Sequence, residues 1–141
     1  MNTTNTNASN LSPYESIGGA DTISRLVDAF YPRVIAHPDL APIFPTDITP
    51  VRDKQYLFLT QFFGGPPLYT KQYGHPMLRA RHMPHQITKK RAQAWLSCMQ
   101  QAMDEIGLQG EIREFMYSRL AMTAQHMVNQ EDDEPNPLHL T

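Results

Sequence analysis

The sequence predicts an all-α fold, and three observations support this prediction. Apolar residues recur every three or four positions in four long stretches of the chain, which places them on one face of a helix. Glycines and prolines separate these stretches from one another. We find no alternating apolar and polar run long enough to form a β-strand. The predicted helices must therefore pack against one another or around a bound group.

Residue types that start and stop helices set the predicted boundaries. Ser12 and Glu15 form a capping box at the start of a short entry helix, which Gly18 and Gly19 end. Thr49 is expected to cap the helix that follows it, and Thr88 another. The long helices are predicted over residues 21–36, 49–63, 88–106 and 110–127, with a short one over 77–82. Residues 66–76 contain three prolines and show no clear period, so we predict a functional loop there.

The chain of 141 residues has room for one domain with a single core. Residues 1–12 are predicted to be a disordered tail because they are polar and lack apolar periodicity. Residues 131–141 are acidic and contain proline, which predicts a second flexible tail. The expected folded domain therefore spans residues 13–130.

Charge and composition argue against several classes of protein. The formal net charge of −2 gives no basic footprint for nucleic acid or anionic membranes. No apolar stretch is long enough to span a membrane, and the first residues do not resemble a secretory signal. Cys98 is the only cysteine, so no internal disulfide can form. We therefore expect a cytoplasmic protein that binds neither nucleic acid nor membranes.

The histidines are the first candidates for metal ligands. Their spacing matches neither an HExxH helix nor a Cys2His2 site, which disfavours zinc. His82 ends a short predicted helix after an extended loop, where its side chain can reach a space between helices. Spacing alone nevertheless favours a structural histidine over a ligand here, and the same holds for His75, His85 and His126.

Polar side chains on the predicted helices are the second group of candidates. Gln55 lies on an otherwise apolar helix face and needs a hydrogen-bond partner if it is buried. Tyr31 and Trp95 each carry one donor on a different helix. These three side chains either converge on a small polar ligand or satisfy one another within the core, and spacing does not decide between these alternatives.

Several separated motifs resemble one known family. The segment GGPPLYTKQYGHPMLRARHMPHQIT, residues 64–88, resembles the haem-binding region of group II truncated haemoglobins. The motifs AFYPRV, IFP and AWLSCM resemble other landmarks of that family, and the agreement in order and spacing extends over residues 14–130. The resemblance implies a globin-like two-over-two helical sandwich that encloses one haem b per chain.

The resemblance also implies roles for individual residues. His82 would ligate the iron, while Tyr31, Gln55 and Trp95 would line the distal side where a diatomic ligand binds. The other residues expected to contact the haem, at its face or its propionates, are Phe44, Val51, Lys54, Tyr69, Arg81 and His75. Apolar side chains expected to form the walls are Phe44, Phe58, Leu59, Phe62, Leu78 and Met99.

Val51 is where this chain departs from the family pattern. It takes the place of the distal histidine of larger globins, where group II relatives usually carry a small residue or threonine. Valine cannot donate a hydrogen bond to a ligand. Its branched side chain is instead expected to narrow one route into the cavity.

Three functional hypotheses follow from these residues. The first is tight, reversible binding of O2, and of CO or NO, for oxygen binding, transport, scavenging or storage. The second is a haem enzyme that acts on peroxide or nitric oxide with an external reductase as electron donor. The third is a haem-free helical binding or sensing module. The sequence leaves open the physiological ligand, any enzymatic activity and the oligomeric state.

Overall fold

The computed structural model of the chain describes residues 11–131, and the other residues of the two predicted tails lie outside this range. Within it, seven α-helices and one short 3-10 helix follow each other along the chain. The α-helices are α1 (Pro13–Ser16), α2 (Ala20–Ala36), α3 (Thr49–Phe62), α4 (Leu68–Tyr73), α5 (Leu78–His82), α6 (Lys89–Glu105) and α7 (Glu111–Met127). The 3-10 helix covers Ala41–Ile43. The prediction of an all-α fold is confirmed.

Two of the three predicted helix caps are present. The Ser12 hydroxyl accepts from the amide of Glu15 at 3.1 Å, and the Glu15 carboxylate accepts from the amide of Ser12 at 3.1 Å. The Thr88 hydroxyl accepts from the amide of Arg91 at 3.1 Å. The prediction for Thr49 was wrong, because α3 already includes this residue. The Asp47 carboxylate instead accepts from the amide of Thr49 at 3.1 Å.

The loop predicted over residues 66–76 contains a helix, α4, which the sequence did not reveal. A tertiary contact stabilises this short segment. The side-chain amide of Gln61 in α3 donates to the Thr70 hydroxyl at 2.7 Å, and the Gln61 carbonyl oxygen accepts from the Thr70 amide at 2.8 Å. Tyr69 is buried against the core. Six residues between Pro67 and Gly74 form a stable helix here because α3 supports them.

The four long helices form two packed pairs. Helix α2 packs against both α3 and α6, and α6 also packs against α7. The buried face of α2 carries Ile23, Leu26, Phe30 and Val34, which are fully removed from solvent. Burying each of these side chains stabilises the fold by about 1.5–3 kcal/mol. The arrangement is the two-over-two sandwich that the resemblance implies, and it leaves a space lined by residues of α3, α5, α6 and α7.

The remaining features of residues 11–131 are few. One isolated β-bridge joins Thr88 to Gln130, and residues 11–131 contain no β-strand. None of its helices has the length and apolar character needed to cross a lipid bilayer. The short helices α4 and α5 lie between the two pairs in sequence, and they contribute Tyr69, Arg81 and His82 to the space that the long helices leave.

Candidate functional site

A cavity of about 320 Å³ occupies the space between the helix pairs. This volume lies at the lower end of the range typical of small-molecule and cofactor sites. The residues assigned to the site from the sequence that line this cavity are Tyr31, Phe44, Val51, Lys54, Gln55, Phe58, Tyr69, Leu78, Arg81, His82 and Trp95. His75 is exposed and does not line the cavity. The fold thus brings together side chains from α2, α3, α4, α5 and α6.

His82 is the last residue of α5, and its ring is held in a defined orientation. Its Nδ1 lies 2.7 Å from the carbonyl oxygen of Leu78, one turn earlier. A carbonyl oxygen only accepts, so Nδ1 carries a proton in this contact, and in the neutral form of the ring the lone pair lies on Nε2. Among residues 11–131, Nε2 has no hydrogen-bond partner, and no cluster of three or more metal-ligating side chains exists. His85 also lines the cavity, but within the described part of the chain only the His82 ring of these two is held in place by a hydrogen bond.

Tyr31 and Trp95 are positioned by an aromatic cluster centred on Phe30. The Phe30 ring packs edge to face against Tyr31, with centroids 4.8 Å apart, and against Trp95, with centroids 5.0 Å apart. Phe44 packs against Tyr31 from the other side at 6.2 Å. These contacts restrict the rings of both donors. Their placement on the cavity wall is therefore a property of the packed core.

No hydrogen bond joins Tyr31, Gln55 and Trp95 within the part of the chain that the structure describes. This finding argues against the alternative in which the three side chains satisfy one another in the core. All three line the same cavity. Their polar groups are thus available to a ligand of the cavity.

Tyr31 is the most buried of these three residues, since only 4% of it is exposed. Burial raises the pKa of Tyr31 far above its usual range, because the phenolate anion is poorly solvated in the core. The hydroxyl therefore stays protonated at neutral pH and serves as a hydrogen-bond donor.

Cationic side chains lie at the rim of the cavity. Lys54, Arg81 and Arg91 line it, while no aspartate or glutamate does among the described residues. The Arg81 guanidinium donates to the carbonyl oxygens of Pro76 at 2.7 Å and Tyr73 at 3.1 Å, which fixes its position. The Lys54 ammonium lies 4.6 Å from the centre of the Tyr73 ring. This distribution of charge favours an anionic group at the rim.

The apolar walls differ in part from the expectation. Phe44, Phe58 and Leu78 line the cavity as predicted. Leu59, Phe62 and Met99 do not. Leu59 and Met99 are fully buried in the helix core, and Phe62 stacks on Phe58 with a centroid distance of 5.2 Å. Helical periodicity identifies an apolar face but does not tell which part of that face meets a cavity.

Three polar residues near the site were missed in the sequence. Arg91 lies one helical turn before Trp95, so the spacing on α6 was a usable signal. His85 also lines the cavity, three residues after His82. Asn129 lies beyond the end of α7 and hydrogen-bonds the segment that follows His82. Nothing in the sequence signals that contact, because its partners lie 44 and 47 residues away.

Comparisons with known proteins agree with this architecture. Residues 12–129 match the family described as bacterial-like globin. The chain is 62% identical over 122 residues to "Group 2 truncated hemoglobin YjbI" of Bacillus subtilis, which covers 86% of this chain and 92% of that protein. The solved group II truncated haemoglobin of Bacillus anthracis superposes with a TM-score of 0.86 at 61% identity, covering 87% of this chain and 95% of that one.

A second solved structure, a truncated oxygen-avid haemoglobin from Bacillus subtilis, gives a TM-score of 0.82 at 62% identity. It covers 84% of this chain and 100% of that one. The family match spans the helices and the cavity described above, and identity at this level extends well beyond a shared fold. The chain therefore belongs to the bacterial-like globin family, as a group II truncated haemoglobin.

Proposed function

We propose that this chain would hold one haem b through His82 and would bind O2 tightly and reversibly at the haem iron. The observation that carries the proposal is the His82 ring, which a hydrogen bond to Leu78 holds in place and whose Nε2 has no partner among residues 11–131, in a cavity that the donors of Tyr31 and Trp95 also line. Membership of a haemoglobin family supports it independently.

The cavity residues fit the chemistry of haem. Haem is an apolar plate with two carboxylates, so its site needs apolar walls and cations at one edge. Phe44, Phe58 and Leu78 supply apolar surface. Lys54 and Arg81 supply charge at the rim, and the Tyr69 hydroxyl is a further donor. The absence of carboxylates among the described lining residues avoids repulsion with the propionates.

A haem iron held by His82 as its one protein ligand would supply a site that binds O2, CO or NO. Tyr31 and Trp95 would each donate a hydrogen bond to a ligand that carries partial negative charge, as O2 does in this setting. The Bacillus subtilis haemoglobin similar to this chain is described as oxygen-avid. We extend that property to this protein, because its cavity donors are preorganised by the packing around Phe30.

Titration of the apoprotein with ferric haem tests the proposal directly. We expect a saturable absorbance change that ends at one haem per chain, with quenching of Trp95 fluorescence, since Trp95 is the only tryptophan and lines the cavity. Lys54→Ala is expected to weaken haem binding by removing one rim cation. Lys71→Ala provides the control, because Lys71 is exposed and does not line the cavity. Binding without saturation would contradict a built site.

Val51 is expected to control how fast ligands enter and leave the cavity without stabilising the bound ligand. It lines the cavity and is half-buried, and its side chain has bulk but no donor. Val51→Ala should therefore speed CO association several-fold in flash photolysis while leaving the hydrogen bonds of Tyr31 and Trp95 intact. Val51→Thr has a similar size and tests polarity apart from volume. An unchanged association rate in Val51→Ala would mean that ligands enter by another route.

The proposal also includes a reducing, cytoplasmic setting. The single Cys98 is buried, being 2% exposed, and has no partner for a disulfide within this chain. If the haem iron were oxidised, an external reductase would have to return it to the ferrous state that binds O2.

A further inference from the structure

Asn129 binds the turn that follows His82 at several points. Its side-chain amide donates to the carbonyl oxygens of His82 at 3.2 Å and His85 at 3.0 Å. Its side-chain oxygen accepts from the amide of Ile87 at 3.1 Å, and its own backbone amide donates to the Ile87 carbonyl at 2.9 Å. Asn129 alone thus satisfies backbone groups of His82, His85 and Ile87.

Arg79 makes the reciprocal connection from α5 to the end of α7. Its guanidinium donates to the carbonyl oxygens of His126 at 2.7 Å and Val128 at 3.0 Å. These are carbonyls at a helix C-terminus, where intrahelical partners are missing and a cation is favourable. Arg79, which precedes His82, therefore donates hydrogen bonds from α5 to the end of α7. Asn129, which follows α7, donates hydrogen bonds back to His82 and to the turn after it.

Helix α5 depends on such contacts because it is short. It has only five residues, far fewer than an isolated helix needs for stability in water. The residue before it, Met77, has a left-handed backbone conformation with φ 45°, which is unfavourable for a side chain of this type. Intrinsic helix propensity therefore does not hold His82 in place, and its position is set by tertiary hydrogen bonds.

The Leu78 carbonyl and Asn129 control different degrees of freedom of His82. The hydrogen bond from Nδ1 to Leu78 fixes the rotation of the ring. The hydrogen bond from Asn129 to the His82 carbonyl fixes the backbone that carries the ring. Groups that orient a metal ligand affect the bond to the metal without touching the metal themselves. We propose that Asn129 is a positioning residue that sets the placement of His82 toward the haem iron.

This inference rests on the proposed function, since it concerns the bond between His82 and iron. The test compares Asn129→Asp with the wild-type protein loaded with haem. Aspartate keeps an oxygen that can accept from the Ile87 amide, but it removes both donations to the His82 and His85 carbonyls. Gln130→Glu is the matched control, because it adds the same charge one position later at an exposed residue whose side chain makes no hydrogen bond among residues 11–131.

Two readouts report on His82 itself. Resonance Raman spectra of the ferrous protein are expected to show a shifted or broadened iron–histidine stretching band in Asn129→Asp. Transfer of haem to an excess of apomyoglobin is expected to be roughly tenfold faster, at the lower end of the effects that outer residues have on metal affinity. Gln130→Glu should match the wild type in both. Arg79→Gln removes the reciprocal contacts and should shift the same band. This variant replaces Asn129→Asp in the test if Asn129→Asp does not fold.

The outcomes separate this inference from the proposed function. An unchanged band and transfer rate in folded Asn129→Asp, together with a lower melting temperature, would make Asn129 a purely structural residue and overturn the inference alone. A wild-type protein that shows no His82-dependent iron–histidine band would overturn both. A shifted band in Asn129→Asp with wild-type behaviour of Gln130→Glu supports the positioning role.

Discussion

The His82→Gly variant is expected to purify without haem or to lose it readily. Its haem affinity should fall by at least about tenfold, because substitution of residues that only orient a metal ligand already lowers metal affinity by this factor. The reason is that His82 alone combines an oriented ring with an unpartnered Nε2 in the cavity. Haem content is measured by absorbance against protein concentration, and haem loss by transfer to apomyoglobin.

Added imidazole makes this experiment specific. Glycine leaves space where the ring was, so free imidazole should restore haem retention in His82→Gly if the only defect is the missing ligand. His85→Gly is the matched control, because His85 also lines the cavity and lies three residues further along the same segment. Loss of haem in His85→Gly with retention in His82→Gly would show that His85 ligates the iron, and this result would contradict the account.

Tyr31→Phe and Trp95→Phe are each expected to speed O2 dissociation by about tenfold, which corresponds to a lost hydrogen bond of about 1.4 kcal/mol. Tyr31→Phe keeps the ring packed against Phe30 and Phe44 and removes only the hydroxyl. The double variant should dissociate fastest, and the cycle of single and double variants measures how far the two donors act together. Stopped-flow displacement of O2 by CO gives these rates.

Carbon monoxide separates hydrogen bonding from packing in these variants. CO carries less negative charge than O2 and gains less from a donor, so CO dissociation should change much less. Tyr73→Phe is the control, since Tyr73 is exposed and does not line the cavity. Equal effects on O2 and CO would indicate that the substitutions changed access or packing. Unchanged O2 rates in both single variants and in the double variant would remove hydrogen bonding from the account.

The long helices could be predicted because periodicity and capping are local properties of the chain. The Ser12 capping box and the Thr88 cap are examples, since each involves residues three positions apart. Helix α4 could not be predicted in this way. Its stability comes from Gln61, nine residues earlier on another helix, through the paired hydrogen bonds with Thr70. Local sequence patterns do not indicate a tertiary contact of this kind.

The candidate site was only partly visible for the same reason. Spacing alone favoured a structural role for His82, because the groups that surround it come from distant segments. Most of the residues that the resemblance assigned to the haem and its distal side line the cavity, whereas His75 lies outside it. Asn129 was missed because its contacts with His82 and His85 arise only when α7 folds back onto α5. A contact of this kind is a property of the fold.

The most direct test of the central claim is the absorbance spectrum of the protein in its ferric, ferrous and CO-bound forms, recorded after addition of haem and removal of the excess. The account predicts an intense Soret band at one haem per chain that shifts on reduction and again on addition of CO, with the ferrous spectrum of a single histidine ligand that His82→Gly lacks. A protein that is folded by circular dichroism but shows no Soret band, or the same spectra from His82→Gly without imidazole, would contradict it.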